Sequence, residues 1–581
     1  MKNKNSITRR ELLIRLGQIG GTAAILQGIS VLGLTPISSA LASATQKPRK
    51  TDILPLGSGK GKSVAIVGAG IAGITSAYEL SRAGYKVTVF EASNRKGGRS
   101  LTLRRGDTIQ EIGGEKITCK FDVKDSFGND IYLNAGPGRI PQQHELVLAY
   151  CRLWKVRLEP YIFSSRNNLL QAEDFNGGKP IRIRDMKHNL RGEIAAMLTK
   201  SVREGDLNKE LNDTDKKKLI EMLTEFGDLT TTDGEPNPKY PDRRKSCKHF
   251  NSPPSNVQNV IAYCGTDRAG YAKWPSIEKG ILRPIVSLED ILMSELWDIE
   301  LFRDMRVSQQ TSLMQPVGGM DMFWKSALKQ SAGKGNPGKE TLDNVIKLNS
   351  PVSKIMVNGD KVTVAYRDKV NNNSEITEVF DFCISTMAPS LLNTYVENNF
   401  SVDFKKALSE SHRADAPSCK VGWQSKYRFW EENDNIYGGI SWTKHIINQI
   451  WYPSNSYQSN IGVLTGLYNR GCEAVVIGNM SHRQRLSTAA SGGEKIHPGF
   501  KDMVDYDKGI SIAWQNMKYF AGGWQSNTKA EFIDIIYWPL HVPQGHFYMA
   551  GCGMSFNDGW MEGAIQSSHA VLAKIAEIAK I

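Results

Sequence analysis

The sequence predicts an α/β protein whose first domain is built on a parallel sheet covered by helices. Three observations predict it. Ser63–Val67 and Lys86–Phe90 are short apolar runs rich in Val and Ile, the composition of strands buried on both faces. Between them Ile71, Ile74, Ala77, Tyr78 and Leu80 recur at near-helical spacing, so the order is strand, helix, strand. At the first junction stand Gly68, Gly70 and Gly73, a GxGxxG turn in the context that gives such a turn meaning.

Each glycine has its own task. Gly68 allows the tight turn, Gly70 lets backbone approach a pyrophosphate, and Gly73 lets the helix pack on the strand. The helix N-terminus then offers free N–H groups to phosphate oxygens. Glu91 ends the second strand, 18 residues past Gly73. A carboxylate there accepts hydrogen bonds from ribose hydroxyls and disfavours a 2′-phosphate. Gly97-Gly98-Arg99 follows at once and gives a second close approach to phosphate or flavin, which selects FAD over a nicotinamide cofactor.

The chain has 581 residues, enough for two or three domains, and its 40% hydrophobic and 23% charged residues are those of an ordinary soluble protein. The net charge is +13, but residues 1–50 hold eight Lys/Arg against one acid, Glu11, so the rest is only mildly basic. The densest basic stretch, 239–250, reads as a solvated loop, and no nucleic-acid partner is expected. Thr8-Arg9-Arg10-Glu11-Leu12-Leu13 precedes an apolar run near 18–35 and a small-residue site at Ala42-Ser43-Ala44. That order predicts a twin-arginine export signal over 1–44 and a periplasmic or secreted protein. No later segment has 18 uninterrupted apolar residues, so no membrane span is expected. The eight cysteines are scattered without a CxxC pair, so no metal site is expected and disulfides stay open.

The segment EASNRKGGRSLT after the second strand resembles the flavin amine oxidase superfamily, which includes monoamine, polyamine and L-amino acid oxidases. The resemblance implies a two-domain architecture: a Rossmann-like FAD domain, an α+β substrate domain with a mixed sheet, and a helical cap. Placed on this chain, the FAD domain takes 60–120, 300–412 and 545–581, and the substrate domain 121–180 and 413–544. The cap takes 181–299, where Leu219, Ile220, Leu223 and Phe226 give an apolar helix face.

Residues 134–141 read NAGPGRIP, a rigid loop whose one charge is Arg139. Such an arginine can grip a carboxylate through two parallel hydrogen bonds, or simply sit on a surface turn. L-amino acid oxidases carry a similar segment, and the resemblance implies that Arg139 binds the substrate carboxylate, with Gly138 and Arg139 also at the cofactor. It further implies that Lys420, in SCKVGWQSKYRFW, holds a water at the flavin and is the catalytic lysine, although composition alone would leave a lysine there facing solvent. Tyr468 is similar to a tyrosine that assists the carboxylate contact, and Arg470 stands where it could select the substrate side chain.

The resemblance continues to the C-terminus. QPVGGMD at 315–321 looks like the family's glycine turn into a helix, and Val352, before a hairpin at Asn358-Gly359-Asp360, falls at the adenine contact. Thr386-Met387-Ala388-Pro389 matches a strand end returning to the cofactor, and Trp514 a residue beside the flavin. Trp524 follows Gly522-Gly523 where covalent members carry Cys, which implies non-covalent FAD and an aromatic wall for the substrate. Gly559 and Trp560 match substrate contacts, and Ala72, Met561 and Ala564 cofactor contacts. Cys552 departs from the pattern, because the family commonly has Glu there. The function implied is oxidative deamination of L-amino acids with O₂ as acceptor, in a protein expected to be a homodimer. An amino-acid 2-monooxygenase and an amine or polyamine oxidase are the alternatives, and a redox-inactive binding module is a third.

Overall fold

The computed structural model describes residues 53–231, 261–299, 301–370 and 373–578. The twin-arginine segment, Ala42-Ser43-Ala44 and the basic stretch 239–250 lie outside the described residues.

Strand β1 (Ser63–Val67), helix α1 (Ile71–Arg82) and strand β2 (Lys86–Phe90) form the expected unit. They nucleate a five-stranded parallel sheet in the order 346–347, β2, β1, 382–385, 547–549. Alternation along β1 divides the core. Val64 and Ile66 face the helical side with Ile74, Ala77 and Leu80 of α1. Ala65 and Val67 face the other side, against Ile355, Val362 and Val364 of an antiparallel sheet. That second sheet contains the expected hairpin: Val352–Asn358 pairs with Lys361–Asp368, and Gly359 adopts a φ of +62° in the turn.

A seven-stranded mixed sheet makes the other large layer. Its order is 181–182, 169–171, 440–443, 449–451, then β4, β3 and β5, which are Val463–Arg470, Ser418–Ser425 and Val504–Ala513. Only the 169–171 and 440–443 neighbours run parallel. β3 is buried at every residue, because it lies between β4 and β5. Lys420 stands directly opposite Tyr468 on one side and Ile512 on the other. A smaller sheet pairs Ile140–Pro141 and Leu158–Tyr161 with the two sides of Leu313–Pro316, which anchors the loop carrying Arg139.

Residues 181–299 hold helices Ile183–Glu204, Asp213–Gly227 and Leu288–Ser294. Asn212 caps the second by accepting the Asp215 N–H. The expected apolar face of that helix is only partly used. Leu223 is buried, but Phe226 is 50% exposed, with the Arg191 guanidinium over its ring. Helix α2 (Met561–Ile578) packs back onto α1. Among the described residues no helix is long and apolar enough to cross a membrane, and no cluster of His, Cys, Asp or Glu could hold a metal.

One buried ion pair ties distant parts together. Arg485 Nη1 and Nη2 meet Glu111 Oε1 and Oε2 at 2.6 and 2.7 Å, and Oε1 also accepts the Ala513 N–H at 2.8 Å. Glu111→Ala leaves the guanidinium buried without its partner, at a cost of about 3–5 kcal/mol. Denaturant unfolding is expected to show this as a lowered midpoint, partly recovered by adding Arg485→Met.

Candidate active site

The glycine turn is packed to its limit. A Cβ at Gly73 would stand 1.9 Å from the Gly68 carbonyl oxygen, and Gly68 itself has a φ of +105°. α1 is thereby pressed against the end of β1, with no side chain capping its first turn. The second glycine pair closes onto the first, since a Cβ at Gly98 would lie 3.0 Å from the Gly70 Cα. Arg95 holds that loop by donating to the Gly98 carbonyl at 2.6 Å, a contact not anticipated from the sequence.

Around this turn lies a cavity of 550 Å³. Gly68, Gly70, Ala72, Glu91, Gly98 and Arg99 line it from the N-terminal segment. Val352 and Trp514 join from the middle of the chain, and Cys552, Met561 and Ala564 from its end. Glu91 accepts the Ala69 N–H at 2.8 Å and, at 2.9 and 2.7 Å, the Ser93 N–H and hydroxyl. One of about four lone-pair positions remains for a ribose hydroxyl. Arg99 turns toward the C-terminal segment, with Nη2 3.5 Å from the Cys552 sulfur and Nη1 3.3 Å from the Gly523 carbonyl. The starts of α1 and α2 both reach the wall, so two sets of free N–H groups serve one cavity. These features fit an extended anionic dinucleotide.

Lys420, Tyr468, Trp524, Gly559 and Trp560 share the same wall. The Lys420 amine is buried and donates to the carbonyls of Asn134 and Gly136 at 3.0 and 2.6 Å. Burial, and secondarily the Arg139 charge, push it down to about 7 from an ordinary 10.5. The Trp524 ring lies flush with Gly559, where a Cβ would meet its Cγ at 3.3 Å. Gly559 has a φ of +73°.

Two sequence expectations shift. Gly138 is not in the cavity wall; it packs on Trp451, where a Cβ would stand 2.8 Å from the ring, and Gly136 and Pro137 line the cavity instead. Arg139 lies behind Trp560, with its guanidinium 5.3 Å from that ring, 4.8 Å from Phe163 and 5.4 Å from Trp451. Its Nε donates to Gln309 at 2.9 Å, and among the described residues no carboxylate pairs with it. Arg470 ends β4 exposed and outside the wall. Tyr161, Gln309 and His144 surround Arg139 without having been expected. Burial and Arg139 push His144 down to about 4, so it is neutral beside Trp560, 4.8 Å between rings. Their only sequence signal is nearness to the arginine loop for His144, and none for Gln309.

Residues 71–571 match the family described as flavin containing amine oxidoreductase. The chain belongs to that family. This flavin amine oxidoreductase is 24% identical over 509 residues to an L-amino-acid oxidase of Siganus canaliculatus, covering 87% of this chain and 83% of that protein. It is also 24% identical over 508 residues to an L-amino-acid oxidase of Crotalus adamanteus, covering 87% and 85%. Its fold is similar to cyclohexylamine oxidase from Brevibacterium oxydans IH-35A, with a TM-score of 0.53 at 15% identity over 90% of this chain and all of that one. The chain is accordingly an oxidoreductase of a flavin-containing family.

Gly73→Ala must separate α1 from the Gly68 carbonyl, so the purified variant is expected to lose its flavin absorbance. A fully loaded variant would show that the contact yields. Lys420 gives a pH signature. Its folded value is depressed, so the unfolded chain binds more protons between about pH 7 and 10.5 and stability from this group rises with pH across that window. Unfolding of wild type and Lys420→Met across these pH values should give curves whose separation changes there; parallel curves would place a charged lysine in the core.

Proposed function

We propose that this oxidoreductase is an FAD-dependent L-amino acid oxidase that holds FAD without a covalent bond. The observation that carries the reading is Arg139, a guanidinium caged by three aromatic rings beside the flavin cavity, with no carboxylate partner among the described residues. A substrate carboxylate supplies what the protein leaves out. The names of the relatives agree, and Trp524 after Gly522-Gly523 supports non-covalent attachment. The N-terminal twin arginine supports export, and the FAD, substrate and cap segments keep the boundaries given above.

Bound FAD would supply a two-electron acceptor for the α-hydrogen and its electron pair, with O₂ as the final oxidant and H₂O₂ as its product. The chain's own groups do the rest. Arg139, with Tyr468 nearby, fixes the carboxylate. The Gly559 carbonyl orients the neutral amine, and Trp524 and Trp560 exclude water from the α-carbon. Fixing both ends of the amino acid aims one C–H bond. Well above pH 7, Lys420 is a neutral amine whose two N–H groups are taken by Asn134 and Gly136. Its lone pair is then free to accept a proton from the water that converts the imino acid to 2-oxo acid and ammonia.

The purified protein is expected to form peroxide, ammonia and 2-oxo acid in equal amounts from L-amino acids. An amide product would reassign it as a 2-monooxygenase, and turnover of simple amines alone as an amine oxidase. Arg139→Ala should lower kcat/KM by about 100- to 1,000-fold, mostly through KM, because a charge-assisted bidentate contact is lost. An unchanged kcat/KM removes Arg139 from the substrate site.

A further inference from the structure

A second cavity, 520 Å³ in volume, shares no wall residue with the flavin cavity. It forms where the 169–171 and 181–182 edge of the mixed sheet meets the start of helix Ile183–Glu204 and the end of helix His482–Ile496. Its walls hold two cations and two anions, Arg182, Arg283, Asp185 and Asp434, among apolar residues that include Val286 and Met503. The proposed reaction uses none of them.

Asp185, Arg283 and Arg182 meet their partners in this cavity only as long ion pairs. Asp185 is 4% exposed, yet its carboxylate makes only long contacts, 3.5 Å to Arg283 Nε and 3.6 Å to Arg184 Nε. Both Asp185 Oδ1 and Arg283 Nε are buried without a hydrogen-bond partner. Arg182 donates to the Asp434 backbone carbonyl at 2.8 Å but stays 3.9 Å from its carboxylate. The other Asp434 oxygen is held at 2.9 Å by His497, which is held in turn by the Tyr452 hydroxyl at 2.6 Å. Arg182 and Arg283 also repel each other. Buried polar groups are nearly always satisfied, so orphan groups of both signs facing one cavity call for a ligand that carries both signs. A simple anion would satisfy the arginines and repel the aspartates; a simple cation would do the reverse.

We propose that this cavity binds a zwitterionic α-amino acid, with its carboxylate on Arg182 and Arg283, its ammonium on Asp185 and Asp434, and its side chain against the apolar wall. This is a site additional to the one where oxidation is proposed. Its recognition rests on these four charges alone, so it stands or falls independently of the reaction assigned to Arg139.

α-Aminoisobutyrate tests it, because this amino acid has no α-hydrogen and cannot be oxidised. Calorimetric titration of the flavin-loaded full chain should find one more bound molecule per chain in wild type than in Arg283→Gln. Asp185→Asn, nearly isosteric, should lose the same site, and circular dichroism checks that both variants are folded. Equal stoichiometry in wild type and both folded variants overturns the proposal. So does acetate filling the same variant-sensitive site as tightly as α-aminoisobutyrate, since that outcome defines an anion site. Peroxide assays on the same preparations report separately on the proposed oxidase activity.

Discussion

The contact between Gly73 and the Gly68 carbonyl oxygen is the constraint on which the remaining geometry hangs. With room for no atom beyond hydrogen, α1 lies against β1 and its N-terminus faces the cavity. Ser568 then donates to the Ala72 carbonyl at 3.0 Å, which sets α2 against α1 and brings Met561 to the same wall. Glu562, in the first turn of α2, accepts the N–H groups of Leu146 and Val147 at 3.1 and 2.9 Å. These are orphan donors at the start of helix Glu145–Leu153, and that helix directly follows the Arg139 loop. A few short contacts thus relate the glycine turn to Arg139, behind Trp560.

Electrostatics divides labour between the two cations of the site. A guanidinium withdrawn from water without a partner costs on the order of several kcal/mol, and it cannot escape by losing its proton. A lysine can. Burial lowers Arg139 too, but a guanidinium starts from 12.5 and keeps its proton, whereas Lys420, near it and buried, falls to about 7. The like-charge pair is relieved on the lysine side, and the arginine is left as the fixed positive point. Trp451 lies 5.4 Å from Arg139 and 4.7 Å from Lys420, so one aromatic face serves both groups and offsets part of the cost.

The sequence was most legible where structure is local. Strand, turn and helix over residues 63–90 follow from periodicity and glycine spacing, and the Asn358-Gly359-Asp360 hairpin from its turn chemistry. Lys420 and Tyr468 were legible only through resemblance, since nothing local shows that 48 residues apart they face each other across one β-ladder. Gly138 was misplaced by one step because alternation in an irregular loop cannot be read from its letters; which glycine faces the cavity depends on Trp451, more than 300 residues away. Phe226 has a helical period, yet it stays half exposed, with the Arg191 guanidinium over its ring. Gln309 and Tyr161 lie in segments without a motif, and only the three-stranded sheet around Leu313–Pro316 brings them to Arg139.

Under the proposed function, the same arrangement that attracts an amino acid also rejects a bare amine. An amine entering without a carboxylate would leave Arg139 desolvated and unpaired. If it arrived protonated, its charge would stand against the guanidinium as well. An uncompensated buried charge is worth more than the apolar contact a side chain gains in the aromatic wall, at about 0.8 kcal/mol per methylene. Lengthening an amine therefore cannot restore what the missing carboxylate removes. Specificity then comes from a group left deliberately incomplete, a repulsive element against the wrong substrate as much as an attractive one for the right substrate. Phe163, Trp451 and Trp560 stand around Arg139 and offset part of the cost of keeping its charge out of water.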